Sequence, residues 1–430
     1  MPRLSRRVVH LLCLTAVAAA VGGCVSKAHR EAERAVADYY VGDYDRSVRR
    51  LTPLAARTNE DFVLNNLRLG SAALANYDLD AAEGAFLRAY EVLNSVGVND
   101  GGRTVGAVLV SENIRIWRGE PFERAMANFY LGLVYYMRHD YANARGAFEN
   151  ALFKLRDYGE KKKGAKPDKY AEIESNFALG HLMLAKAHQR LGRDDMAEKY
   201  FKRTGELRPD LAAAADPDAN RRANVLLVVD FGNGPRKIGD GMGSVVGFAP
   251  KPVDVGPPPP PWVTVDGQPV QVAAVARPPV DLLVLAQDRR WQSIDTIRVM
   301  KDLIGTGLMT GGMIYGMQHD SRPEIVLAAL LGGALLKASS QADLRHWEML
   351  PRTTYVLPLT LPPGTHDVTV NFPDVPGVRQ TWRGIVAPPE GEEATYYLRM
   401  QRWNNGPYQW PPPALARRND TVPARADAAR

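Results

Sequence analysis

The chain is almost without cysteine: Cys13 and Cys24 are the only two in 430 residues. A disulfide framework and a cysteine-ligated zinc site are therefore excluded, and packing must hold the fold together. Apolar runs of about 20 residues, the length a membrane-spanning helix needs, are also missing; residues 8–21, 303–317 and 325–338 each fall short. No His-Glu-x-x-His pair and no Gly-x-Ser-x-Gly elbow occurs, and these are the commonest local signatures of zinc hydrolases and serine hydrolases. The glycine-rich stretch at 232–243 lacks a Gly-Lys-Ser/Thr ending, and Pro235 removes one of the backbone donors that a phosphate loop uses. Charge of one sign is lacking too. The formal net charge is +6 and falls to +3 if Arg3, Arg6 and Arg7 are removed, too balanced to indicate nucleic acid.

What is present begins at the N-terminus. Arg3, Arg6 and Arg7 precede the apolar run 8–21, which closes on Val21-Gly22-Gly23-Cys24. A basic stretch, a short apolar core and small residues are the parts of an export signal, and this ending resembles the lipobox of bacterial lipoproteins. The resemblance implies a signal peptide over 1–23, cleavage before Cys24 and a lipid anchor on its sulfur. A plain signal peptide with a chance cysteine is the alternative. Val25, rather than aspartate, after the cysteine resembles the pattern of lipoproteins sorted to the outer membrane.

Residues 24–211 carry small and large apolar residues at helical spacing. Leu131-Gly132 with Tyr135, Ala144, Phe148 and Ala151 has the spacing of a tetratricopeptide repeat (TPR), a helical hairpin in which small residues allow close approach and a phenylalanine fills the gap between repeats. Leu69-Gly70, Ala82, Phe86 and Ala89 fit the same frame, as do Leu184-Ala185, Gly192, Ala197 and Phe201, with Pro209 where the second helix must stop. A degenerate first copy has Ala35, Gly42, Ser47 and Leu51. Insertions around 96–120 and 156–170 interrupt the array. A generic helical bundle is the alternative reading.

After a boundary near 212–220 the chain gains proline, glycine and β-branched residues. Residues 225–229, 270–275, 282–285, 355–361, 366–372 and 395–400 read as strands, and Pro362-Pro363-Gly364-Thr365 reads as a hairpin turn. The expected fold is α+β and multidomain: a TPR-like α-solenoid, then a small β-sandwich over 221–402 carrying an inserted helical hairpin at 294–344, and a disordered tail at 403–430. Gly307, Gly311, Gly312 and Gly316 would give that hairpin a smooth face for close helix packing, in protein or in lipid.

Three local sequences are unlike a generic scaffold. They are Trp117-Arg-Gly-Glu-Pro-Phe-Glu-Arg124, Gly234-Pro-Arg-Lys237, and Ala342-Asp-Leu-Arg-His-Trp-Glu-Met-Leu-Pro351, the last followed by Leu361-Pro-Pro-Gly-Thr-His366. Together they resemble a family of bacterial TPR lipoproteins in which a helical repeat region precedes a β-rich domain, and which has no established catalytic residues. His181 and His188 lie two helical turns apart without a metal-ligand pattern. The expectation is thus a non-enzymatic, periplasm-facing lipoprotein, anchored in the outer membrane through Cys24, whose repeat groove binds an envelope protein. No cofactor, metal, nucleic acid or small-molecule substrate is implied. The competing expectation is a membrane-active component that uses the glycine-rich hairpin 303–338. An enzyme acting on envelope glycan is a third reading.

Overall fold

The computed structural model describes residues 27–94, 116–155, 157–158, 172–173, 175–239, 245–252, 256–270, 278–288 and 343–401. Cys24 with the signal segment 1–23, the glycine-rich hairpin 303–338 and the tail 403–430 lie outside the described residues. Among those described, no helix is long and apolar enough to cross a membrane.

Among the described residues the first half holds four antiparallel helix pairs: α1 (Lys27–Tyr40) with α2 (Tyr44–Ala55), α3 (Phe62–Ala75) with α4 (Leu79–Asn94), α5 (Pro121–Met137) with α6 (Tyr141–Phe153), and α7 (Ala178–Arg190) with α8 (Asp194–Leu207). Each pair turns in the same way. Gly42, Tyr77, His139 and Gly192 occupy the left-handed region at φ 83°, 59°, 62° and 68°. The next residue in each case, Asp43, Asp78, Asp140 or Arg193, donates its N–H to a carbonyl five residues back, the bond that closes a Schellman-type helix end. Four equivalent turns make the array a repeat, and the proline after α8 opens a 3₁₀ turn at Pro209–Leu211.

In the second and third pairs a small residue meets the phenylalanine of the partner helix. A Cβ added to Gly132 would lie 2.6 Å from the Phe148 ring, and one added to Gly70 would lie 2.6 Å from the Phe86 ring. Phe148 is fully buried and its ring centroid is 5.7 Å from that of Phe129, so it has little room to retreat. Gly132→Ala is therefore expected to cost about 1–3 kcal/mol through overpacking, although alanine is the better helix former. Urea unfolding should also show that Gly132→Ala/Phe148→Leu loses less than the two single losses combined. Strict additivity would mean that the two residues do not share the space.

The second half is a β-sandwich. After two short strands in the repeat insertion, β1 (Asp157–Tyr158) and β2 (Glu172–Ile173), come β3 (Val225–Phe231), the ribbon β4 (Arg236–Gly239) and β5 (Val245–Ala249), then β6 (Trp262–Val265), β7 (Gln268–Pro269), β8 (Val280–Asp281), β9 (Thr353–Leu359), β10 (Gly364–Asn371), β11 (Arg379–Ala387) and β12 (Ala394–Met400). One sheet has the order β12-β3-β9-β8 and the other β11-β10-β6-β7. The turn at 362–365 is therefore not a hairpin. Strands β9 and β10 belong to different sheets, and the prolines carry the chain across the sandwich. Residues 282–285 are not a strand either. Asp281 accepts from the N–H groups of Leu283 and Val284 and starts the short helix Leu282–Gln287, a side-chain cap that a four-residue apolar run does not reveal. Residues 271–275 lie outside the described residues.

The two halves pack as layers. Strand β3 is buried on both faces: Val225, Leu227, Val229 and Phe231 join the core between the sheets, while Leu226 and Val228 join the core of the repeats. This explains the unbroken apolar run Val225–Val229. The β12-β3-β9-β8 sheet is the middle layer, with helices on one side and the second sheet on the other.

Candidate interaction groove

The first helix of a repeat pair normally has one face against its partner and one face free. Here all fourteen residues of α3 are buried, as are all but Arg124, Tyr135 and Met137 of α5, and all but Gln189 and Arg190 of α7. A helix buried all round must be covered on two sides. The second helices α4, α6 and α8 bury only a stripe. The free faces of α3, α5 and α7 are covered by the chain's own second half, so the groove expected to receive a partner already holds an occupant.

At the α1–α5 end of the groove that occupant is the segment 343–351, which has no regular secondary structure up to Trp347. Trp347 is 1% exposed, lies edge-on to Tyr130 at 5.7 Å and tilted to Phe86 at 6.2 Å, and donates its indole N–H to Ser71 Oγ at 3.1 Å. Its backbone N–H donates to Glu123 Oε1 at 2.6 Å. Glu348 is paired with Arg68 (Nε to Oε2, 3.0 Å), whose Nη1 is held by Asn65 Oδ1 at 3.0 Å. The Arg68 guanidinium outweighs burial and keeps Glu348 below the usual carboxylate range. Tyr40 donates to the Glu348 carbonyl, Trp117 Nε1 donates to the Arg345 carbonyl at 3.0 Å, and Arg345 Nη1 pairs with Asp61 at 2.6 Å.

Three of the unusual local sequences converge here. Glu120 and Glu123 come from the first, at the start of α5. Lys237 comes from the second, with its ammonium 2.6 Å from Glu120 and 3.3 Å from the Asp343 carbonyl. The third supplies the segment itself, and Gly234 N–H donates to the Leu350 carbonyl at 2.7 Å. A side chain at Gly234 would meet that carbonyl at 2.9 Å, so glycine is required by the close approach. Residues 361–366 lie elsewhere, at the sheet-to-sheet crossing, where Asn224 bonds both to the Leu361 carbonyl and to its N–H.

Two buried polar clusters hold the rest of the groove. Neighbouring register positions place Arg399, Asp230 and Thr354 in a row across β12, β3 and β9. Asp230 accepts from Tyr130 (2.5 Å), Tyr397 (2.7 Å) and Thr354 (2.5 Å), and Arg399 donates from Nε to Tyr39 Oη at 3.0 Å. Burial pushes the Asp230 carboxyl up, against the pull of Arg399. At the α7 end, Glu393 accepts from Tyr136 (2.7 Å) and Lys186 (3.0 Å) and lies 3.1 Å from Arg190. Lys186 and Arg190 overcome burial and keep Glu393 low. Beside this cluster is a cleft of about 490 Å³ bordered by His139, Tyr141, Arg190, Arg221 and Glu392. Its two arginines are engaged, Arg190 with Glu393 and Arg221 with Asp194 at 3.1 Å.

Glu123 has a different balance. Burial drives its carboxyl up to about 7, against Lys237 and the two backbone N–H groups that it accepts from. Between the ordinary value of 4.5 and about 7 the folded chain keeps a proton that the unfolded chain has released. Stability from this group is thus fully present below about 4.5 and lost as pH rises to about 7, a loss of about 3 kcal/mol at 1.36 kcal/mol per pH unit. Urea midpoints of the wild type relative to Glu123→Gln should fall across this window. A constant difference would show that Glu123 titrates normally.

The expected repeat residues lie between helices, and Phe86 among them also reaches the groove against Trp347. Leu69, Gly70, Ala82, Phe86, Leu131, Gly132, Ala144, Phe148, Ala197 and Phe201 are buried in the array, and Tyr135 is half-buried. His181 and His188 are buried beside Tyr200, with the His188 ring stacked on it at 5.5 Å. Among the described residues no group of histidine, cysteine, aspartate and glutamate has metal-holding geometry. Of the glycine-rich stretch, Arg236–Gly239 form β4 of the β4–β5 ribbon, and residues 240–243 lie outside the described residues. Sequence reasoning missed Arg68, Tyr130, Asp230, Lys186 and Glu393. The available signal was polar residues inside otherwise apolar helices: Asn65, Asn66, Arg68 and Ser71 in α3.

No protein-family model matches the chain, and no curated protein does. Solved structures similar to it include two crystal structures of MamA. The first is 14% identical with a TM-score of 0.28, over 44% of this chain and 82% of that one. The second is 18% identical with a TM-score of 0.29, over 43% and 75%. A TPR2AB-domain:pHSP90 complex of yeast Sti1 is 16% identical with a TM-score of 0.17, over 46% and 73%.

Proposed function

We propose that the protein is a non-catalytic interaction scaffold of the bacterial envelope, held by lipid on Cys24 at the periplasmic face of the outer membrane. The observation that carries the scaffold reading is the groove itself. A helical repeat grips an irregular segment through a buried tryptophan and an arginine-clamped glutamate, which is how a protein-recognition surface works. Asp230, Glu348 and Glu393 are held by tyrosine, threonine, lysine and arginine partners and Glu123 by two backbone N–H groups, so these buried carboxylates serve to fix the layers.

The anchor reading rests on the sequence around Cys24 and on its short separation from α1. Lys27, the first described residue of α1, is three residues after Cys24, so a lipid on Cys24 would sit within about 11 Å of it, at 3.8 Å per residue. The scaffold would then lie close to the bilayer, with α2, α4, α6 and α8 facing outward. Metabolic labelling with radioactive palmitate should mark the wild type and not Cys24→Ser, and the variant should leave the membrane fraction. Labelling of both would remove the anchor. Photocrosslinking in the native envelope, from positions on the outer helices, should yield a reproducible protein adduct. Its absence from every position would remove the scaffold reading.

A further inference from the structure

We propose that the groove at Trp347 and Glu348 is a peptide-recognition site filled in cis, and that an extended segment of a partner carrying tryptophan followed by an acidic residue competes for it. The proposal deepens the scaffold reading, because it names the partner chemistry that such a scaffold would recognise.

The chain's own segment shows what the site selects. Ser71, Phe86 and Tyr130 form a pocket that fits an indole: two aromatic rings on its faces and edge, and a hydroxyl that accepts its N–H. One residue further on, Arg68 is itself buried and oriented by Asn65, so its fork is set for a carboxylate. Lys251 adds a second positive charge at the same end, 4.0 Å from the Tyr40 ring centre. The main chain is read as well, by Glu123 at the Trp347 N–H, by Tyr40 at the Glu348 carbonyl and by Trp117 at the Arg345 carbonyl. Side-chain pockets combined with main-chain bonds are the recognition of an extended peptide rather than of a folded surface.

Other bonds tie the sandwich to the helices, so only the segment needs to be displaced. Tyr77 bonds the Tyr397 carbonyl at 2.8 Å, Tyr130 bonds Asp230, and Tyr136 and Lys186 bond Glu393, all independently of residues 345–348. Gly234 and Phe231 hold the backbone at Leu350 and Arg352, so the C-terminal end of the segment stays tied to β3. A tethered occupant has an effective concentration on the order of millimolar, and a partner must therefore outcompete it.

The test uses the full chain and a fluorescein-labelled synthetic peptide of residues 343–351, read by fluorescence anisotropy. Trp347→Ala/Glu348→Ala, which empties both pockets, should bind the peptide at least about tenfold more tightly than the wild type, whose own segment blocks it. Adding Arg68→Ala, or replacing the peptide's tryptophan with alanine, should each weaken capture by about tenfold or more. No saturable binding to the emptied variant, with its helical circular dichroism intact, would overturn the proposal; so would equal binding to variant and wild type. If the double variant does not fold, Glu348→Gln retains the tryptophan and should still bind more tightly than the wild type, with failure to do so counting equally against the idea. Envelope crosslinking tests the scaffold reading separately: it can succeed on the outer helices while this site fails, or fail while purified protein captures the peptide.

Discussion

Truncating Glu393 to alanine is expected to lower the unfolding free energy by about 3–5 kcal/mol, the cost of leaving a buried ion without its partner. Glu393 is 2% exposed and Lys186 1%. Removing the carboxylate leaves Lys186 with only Asn220 Oδ1 at 3.3 Å, and leaves the Tyr136 hydroxyl without its acceptor. Arg190 is cushioned, because it also donates to the carbonyls of Gly391 and Ala223. Burial already depresses the lysine against the pull of Glu393, and without that pull the ammonium is the unfavourable form. Adding Lys186→Met removes the stranded charge while keeping its apolar stem, so Glu393→Ala/Lys186→Met should recover a substantial part of the loss. Denaturant unfolding of the three variants decides the matter. A double variant no better than Glu393→Ala would show that the carboxylate acts through something other than the lysine.

The position of Glu393, in the loop before β12, shows which parts of this molecule are legible in a sequence. The repeats are legible because their determinants are local. Gly70 and Phe86, Gly132 and Phe148, and Ala185 and Phe201 each stand sixteen residues apart, and helix geometry converts that spacing into contact. Strand β3 was legible as buried because a doubly covered strand has no polar alternation. Strand β11 was missed: Arg379, Arg383 and Gly384 interrupt its pattern, although Gln380, Trp382, Ile385 and Ala387 all face inward. The turn at 362–365 has hairpin chemistry whether it reverses the chain within one sheet or carries it to the other, and only the pairing of β10 with β6 and β11 decides this.

The groove was misread for a similar reason. The expectation of an open concave face comes from treating the repeats as a module in isolation. The contacts that close it join residues far apart in the chain, such as Arg68 with Glu348 and Tyr77 with Tyr397, and no local period encodes them. The trace they leave is compositional: α3 is apolar on every side, yet contains Asn65, Asn66, Arg68 and Ser71. Polar groups in such a helix need partners supplied from outside it. The three local sequences that stood apart from scaffold were informative in the same way, since each supplies one wall of the junction around Trp347.

The other large effect is expected at Asp230, where helices and sandwich share one carboxylate. Asp230→Ala should cost about 3–5 kcal/mol, because it removes the acceptor for three hydroxyls and the anion nearest a buried arginine. Tyr130 reaches it from α5, Tyr397 from β12 and Thr354 from β9, all within 2.7 Å. Arg399 keeps the carbonyls of Met400 at 2.8 Å and Gly232 at 2.6 Å, so its hydrogen bonds survive while its charge is no longer balanced. Asp230→Asn preserves the shape and one carbonyl oxygen, which can still accept from Thr354 or from a tyrosine. It should therefore lose less than the alanine variant but remain below the wild type. Tyr130→Phe removes only the bond that crosses from helix to sheet and should cost about 1–2 kcal/mol, as expected for a hydrogen bond to a charged group. If Asp230→Ala loosens the layers without unfolding either, helical and near-ultraviolet circular dichroism will cease to melt together. Coincident melting at a lower denaturant concentration would show that the layers remain one cooperative unit. A loss below about 1 kcal/mol in Asp230→Ala would contradict the assignment of this row of side chains as the main tie between the layers.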